Sequence, residues 1–281
     1  MEILSEEQII DRINRGIAFS ACIDSEAFSL SVERYQPLVV TAIHDGNRVA
    51  PQYREKMRLG ESKRRFEEDP YTGDIAVHFP ISVRVHDSRY SYDLNRSPES
   101  CIYEQAWGEQ VWRVPLSQAE QGQLRSSHAV YYRVLQALLA TLQKRFKRFV
   151  FYDLHSYNYS RIGGSPPLFN IGTHFIDRSE FEPVIAHLLA GLRQIRLPDL
   201  ETRAVCDEVF LGQGYQAAFV SANYPRSLCL PLELKKVFMD EQHCTLKEEV
   251  FEILTPSLVK VLQNNSTFFI KHCGIKYGDL A

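Results

Sequence analysis

Pro37-Leu38-Val39-Val40-Thr41-Ala42-Ile43 runs without a charge into His44-Asp45-Gly46-Asn47, and Phe149-Val150-Phe151-Tyr152 runs the same way into Asp153-Leu154-His155-Ser156. Short β-branched and aromatic runs that stop at turn-forming residues read as buried strands delivering polar side chains to one edge of a sheet. A third apolar run, Leu228 to Leu234, carries Glu233 near its end and is interrupted by Pro231. Ile81 to Tyr92 alternates enough for one or two strands and closes on Asp93-Leu94-Asn95-Arg96.

Working outward, the stretches His128 to Phe146, Glu180 to Ile195 and Leu246 to Leu262 place apolar residues three or four apart, the spacing of amphipathic helices. Ser5-Glu6-Glu7-Gln8 is a capping-box pattern ahead of Ile9, Ile10, Ile13 and Ile17, which predicts an opening helix. Strands alternating with helices imply a mixed, mainly parallel central sheet covered on both faces, a three-layer α/β/α fold. Ligands of such sheets gather beyond the carboxyl ends of the strands, where the histidines fall. The charged stretch Arg54 to Asp69 reads as an exposed helix or an active-site loop.

With 281 residues and 44% hydrophobic content, a single domain spanning 1–281 is expected. A net charge of -3 offers no basic field for nucleic acid or an anionic membrane, so neither is an expected partner. A small molecule or short peptide is expected instead, and a homo-oligomer is compatible with the composition. No apolar run approaches the roughly 20 residues that cross a bilayer, and no leader pattern opens the chain, so a cytoplasmic protein is expected. The six cysteines are scattered without a C-x-x-C pair and read as reduced, packed thiols.

Two histidines at strand ends suit a metal held on rigid elements, or else are hydrogen-bonded loop residues. A catalytic zinc usually takes three protein ligands, and Glu67-Glu68-Asp69-Pro70-Tyr71-Thr72-Gly73-Asp74 offers carboxylates, although the same run reads as a solvated acidic turn. Asp45 and Asp153, beside the two histidines, are candidates to orient their imidazoles. Asn95 and Arg96 pair an amide with a guanidinium, which suits a substrate carboxylate or a surface ion pair. Glu233, in an apolar strand, is either a general base of raised pKa or half of a buried salt bridge.

Together these segments resemble the N-formylglutamate amidohydrolase family, a relative of the zinc carboxypeptidases and aspartoacylases, over residues 38 to 241. Ile43-His44-Asp45-Gly46 is similar to its strand-then-His-x-Gly block, and Arg89 through Asp93-Leu94-Asn95-Arg96-Ser97-Pro98 to its R-x-x-x-D-L-N-R-P segment. Tyr152-Asp153-Leu154-His155-Ser156 resembles D-x-H-S, and Phe169-Asn170-Ile171-Gly172-Thr173 resembles F-N-L-G-T. Leu232-Glu233-Leu234 with Phe238-Met239-Asp240-Glu241 resembles the closing L-E-L and Y-M-x-E pattern.

The resemblance implies a phosphorylase/hydrolase-like fold and a zinc-dependent amidohydrolase of an N-formyl or N-acyl amino acid. It implies zinc, or another divalent ion, on His44, His155 and an acidic ligand. Asp74 is preferred to Asp69 for that ligand because an apolar stretch follows it directly. Glu233 would be the general base, Arg89 would help stabilise the oxyanion, and Asn95 with Arg96 would hold the substrate carboxylate. Two departures stand out. Asn47 replaces the carboxylate of a carboxypeptidase-like H-x-x-E, and Gly212-Gln213-Gly214-Tyr215 lacks the basic residue that formylglutamate-cleaving members carry after a Gly-rich turn. Tyr215 and Phe219 then line an apolar acyl pocket or pack in the core. A metallopeptidase acting on short or cell-wall peptides and a catalytically silent binding homologue are the alternatives.

Overall fold

The computed structural model describes residues 1–275. The chain opens with β1 (Glu2–Leu4), α1 (Glu6–Arg15), β2 (Phe19–Ile23), β3 (Phe28–Val32) and β4 (Leu38–Ala42). Three short helices, α2 (Pro51–Arg54), α3 (Glu61–Glu67) and α4 (Thr72–Ala76), lead to β5 (Ile81–Val85) and the small hairpin β6 (Gln105–Ala106) and β7 (Glu109–Gln110). There follow α5 (Gln118–Phe146), β8 (Val150–Tyr157), β9 (Phe169–Ile171), α6 (Arg178–Leu192), β10 (Ala204–Cys206), α7 (Tyr215–Asn223), β11 (Leu228–Lys235) and α8 (Glu248–His272).

Nine strands form one sheet in the order β1-β2-β3-β5-β4-β8-β11-β9-β10. The central run β5-β4-β8-β11 is parallel, β1 and β2 pair in parallel, as do β9 and β10, and the remaining junctions are antiparallel. Strand alternation sends neighbouring side chains to opposite layers. Val39 and Phe151 join the core beneath α1, α5 and α7, while Val40 and Tyr152 join the core beneath α4, α6 and α8. This is the expected three-layer α/β/α arrangement with a mixed, mainly parallel sheet. Buried on both faces, β4 and β8 need uninterrupted apolar sequence, and β4 is buried at all five positions.

Local signals set the helix ends. Ser5 caps α1 through the predicted box with Gln8, and Gly16 closes it in the left-handed conformation. A second box, Ser117 with Glu120, starts α5 ten residues before its apolar periodicity begins at His128. Helix α8 likewise runs to His272, beyond the predicted Leu262. The predicted strand 81–92 stops at Val85, so Asp93 sits on a loop rather than at a strand end. Among the described residues no helix is long and apolar enough to cross a membrane.

Candidate active site

His44 lies two residues past β4, whereas His155 lies inside β8, which continues to Tyr157. Adjacent parallel strands bring them together, with ring centroids 4.9 Å apart. Between them stands Asp69, whose Oδ2 is 3.1 Å from Nδ1 of His155 and 3.4 Å from Nδ1 of His44. All three are buried, and one donor atom from each lies within 4.8 Å of the others.

Asp69 reaches this position through its backbone. Its N–H donates to the His44 carbonyl at 2.8 Å, which ties the turn after α3 to the end of β4. Lys236, just past β11, is buried and donates its ammonium to the carbonyls of Phe66 (2.8 Å) and Glu68 (2.7 Å), pinning the same turn from the other side. Burial pushes the Lys236 pKa down. Burial also works against the ionised form of Asp69, but the hydrogen bond with His155 and the adjacent His44 imidazole outweigh it and hold the carboxyl below its ordinary range.

The expected ligand Asp74 is elsewhere. Its side chain is 42% exposed and pairs with Arg84 at 2.7 Å, and Arg84 in turn bonds Asp45 at 2.6 Å. Asp74 sits in the middle of the short α4, and this turn of helix carries it off the site that Asp69 enters. Asp45 is also not the orienting partner of an imidazole: it accepts from Gly73 N–H and Arg84. That part falls to Asp93, whose Oδ1 is 2.8 Å from His44 Nε2. For His155 the expected neighbour is in place, with Asp153 Oδ2 3.0 Å from Nε2 but off the line of a good hydrogen bond. Asn47 bonds Glu61 on the surface and takes no part.

Arg89 lies against Asp93 through Nη2 (2.7 Å) and Nε (3.1 Å), and Trp107 from the β6–β7 hairpin covers its guanidinium at 4.9 Å. Asp93 also accepts from Tyr103 and from Asn95 N–H. Burial opposes ionisation of Asp93, but Arg89 and His44 prevail and hold it well below the ordinary carboxylate range.

These groups open into a cavity of ≈ 690 Å³, within the range of small-molecule sites. His44, Asp69, His155, Arg89, Asn95, Arg96 and Glu233 all line it. Glu233 is in register with His155 on β11 and makes no hydrogen bond or ion pair among the described residues, which disposes of the buried-salt-bridge alternative. Burial raises its pKa. Tyr215 does not reach the cavity. It packs at the start of α7 against Tyr132 (5.0 Å) and His128 (5.8 Å), and Phe219 joins the same aromatic cluster. Ala217 and the Gly212–Gly214 backbone face the cavity in its place, beside Val209, Phe210 and Leu211.

The donor set suits a borderline divalent ion, with two imidazoles and one carboxylate. Nδ1 of His44 is buried without a hydrogen-bond partner, an orphan that a metal would satisfy. A carboxylate near the far nitrogen of each ring is the arrangement that fixes ligand tautomers in metal sites.

A three-layer α/β fold thus carries, at the sheet's carboxyl edge, a buried His-Asp-His cluster able to hold a metal, with an unpaired carboxylate beside it. The family model for N-formylglutamate amidohydrolase matches residues 36–236, and the chain belongs to that family; it is accordingly a hydrolase acting on amide bonds. Among solved structures, an N-formylglutamate amidohydrolase from Ralstonia eutropha superposes with a TM-score of 0.71 at 16% identity, covering 87% of this chain and 98% of that one. A gene product of Agrobacterium tumefaciens superposes with a TM-score of 0.65 at 15% identity, covering 85% and 95%. At these identities the likeness concerns the fold. No curated protein matches the chain.

Proposed function

We propose that the protein is a zinc-dependent amidohydrolase that cleaves the amide of an N-formyl or N-acyl amino acid. The observation that carries this reading is the convergence of His44, Asp69 and His155 with Glu233 in register beside His155. His44, Asp69 and His155 would hold the metal, which when bound supplies Lewis acidity to the scissile carbonyl and a more acidic water.

The side chains divide the remaining work. Glu233 accepts a proton from the attacking water as its oxygen bonds to the carbonyl carbon, then passes that proton to the nitrogen as the C–N bond breaks. A carboxylate of raised pKa is matched to both halves of this transfer. Arg89 lines the cavity under Trp107 and adds positive charge where the carbonyl oxygen becomes anionic. Asn95 and Arg96 hold the substrate carboxylate and thereby align the amide. The products are a carboxylic acid, formate for a formyl substrate, and the free amino acid.

A cavity of ≈ 690 Å³ also admits a dipeptide, and this favours peptidase activity as the second reading. Both are tested by incubating purified protein with N-formyl amino acids, N-acetyl amino acids and dipeptides, with and without chelator. Chelator-sensitive release of amino acid from the acylated compounds supports amidohydrolase activity. Turnover of dipeptides alone supports the peptidase, and turnover indifferent to chelator refutes both.

A further inference from the structure

The cavity carries a second feature, an uncharged wall. Val209, Phe210 and Leu211 line it from the loop between β10 and α7, and Ile162 joins them from the loop after β8. Phe210 and Leu211 are 38% and 47% exposed, large apolar side chains left open at a cavity rather than folded into the core. The wall is held in place from below. Asn170 on β9, in register with Glu233, donates to the Phe210 carbonyl at 2.7 Å and accepts from the N–H groups of Glu208 (3.0 Å) and Val209 (2.9 Å). At its far end Gly214 lies so close to the Asn95 side chain that a Cβ would collide with it, and Tyr215 N–H bonds the Asn95 carbonyl at 3.1 Å. The wall therefore runs from Tyr157, whose ring meets Phe210 at 5.5 Å, to the Asn95–Arg96 end.

The cations of the cavity sharpen the point. Arg89 is committed to Asp93, Arg161 to Glu67 through two bonds of 2.8 Å, and Lys236 to two backbone carbonyls. Arg96 has no carboxylate partner among the described residues, and it is the lining cation left to meet an anion. One carboxylate is thus matched, and a second would face Val209, Phe210 and Leu211, where an unpaired charge is costly to desolvate.

Resting on the amide-hydrolase reading, we infer that the substrate is an N-acyl derivative of an amino acid with an apolar side chain. Arg96 takes its single α-carboxylate and the 209–211 wall takes its side chain. A dicarboxylic substrate such as N-formylglutamate is then disfavoured, although the family is named for it.

The test uses the full-length, metal-loaded protein and substrates that share one scissile bond: N-formylleucine, N-formylphenylalanine, N-formylglutamate and N-formylaspartate. The expected kcat/KM is about 10- to 100-fold higher for the apolar pair, the range a matched apolar pocket provides. Calorimetric binding of N-formylleucine and N-formylglutamate to the Glu233→Gln variant reads the same preference without turnover. Leu211→Lys, at an exposed position, should narrow the ratio by about 10-fold. Hydrolysis that favours the dicarboxylates, or treats both pairs alike, overturns the inference and leaves the amidohydrolase reading intact. Leucine-selective binding with no hydrolysis of any compound does the reverse. Failure to bind either probe overturns both.

Discussion

Glu233 stands in register with His155 across the parallel pair β8–β11, so the proposed base and a proposed metal ligand are fixed to each other by backbone hydrogen bonds. Two central strands rather than loops set their spacing, which is how a site keeps reacting groups aligned. Glu233→Gln keeps the shape and removes the proton acceptor. The expected result is unchanged zinc stoichiometry with a loss of about 10²- to 10⁴-fold in kcat. Full activity in this variant would take Glu233 out of the chemistry.

Asp69 and Asp74 make opposite predictions although they are five residues apart. Asp69→Asn should weaken zinc binding severely, because it removes the one carboxylate between the two imidazoles. Asp74→Asn should leave zinc affinity as it is and cost less than about 1 kcal/mol of stability, since the Asp74 carboxylate is itself 42% exposed and Arg84 keeps Asp45 as a partner. Zinc titrations of the two variants, side by side, check both. Weaker binding in Asp74→Asn alone would restore the assignment that the sequence suggests.

Asp93 ties His44 to Arg89, so its removal should be felt twice. Asp93→Asn is expected to lower metal affinity about 10- to 100-fold through the loosened imidazole. It should also destabilise the fold by about 3–5 kcal/mol, because Arg89 is left buried without its counter-charge. Metal titration and denaturant unfolding read the two effects separately.

Gly172 offers a test of the loop that carries the apolar wall. Its Cα packs on the Gly212 backbone so closely that a Cβ has nowhere to go, and main chain cannot step aside as a long side chain can. Gly172→Ala should therefore cost about 1–3 kcal/mol and raise KM more than it lowers kcat. Unaltered KM and thermal stability would mean the loop moves freely.

Much of this arrangement is legible in the sequence. Apolar runs ending in His44 and at Asp153-Leu154-His155 marked the central strands, because a sheet covered on both faces demands such runs. The layer architecture followed from their alternation with amphipathic helices. Asp69 was harder, since nothing local distinguishes it from Asp74 within an acidic stretch; the choice is made by one backbone hydrogen bond to His44, 25 positions earlier in the chain. Within its motif nothing marks Asp93 as the partner of an imidazole, because that role depends on His44 arriving from 49 positions earlier in the chain. Lys236 carries no local signal either, since the two carbonyls that hold its ammonium lie 170 and 168 positions earlier in the chain. Tyr215 misled because an aromatic beside a Gly-rich turn reads alike whether it faces a cavity or, as here, the α5–α7 interface.

The most direct test of the central claim is the rate of N-formylleucine hydrolysis by metal-stripped protein as zinc is added in known equivalents. The expected result is no turnover at zero zinc and a plateau once one equivalent is bound, with loss of that plateau in Asp69→Asn. Hydrolysis at full rate by the stripped protein in excess chelator would contradict the account.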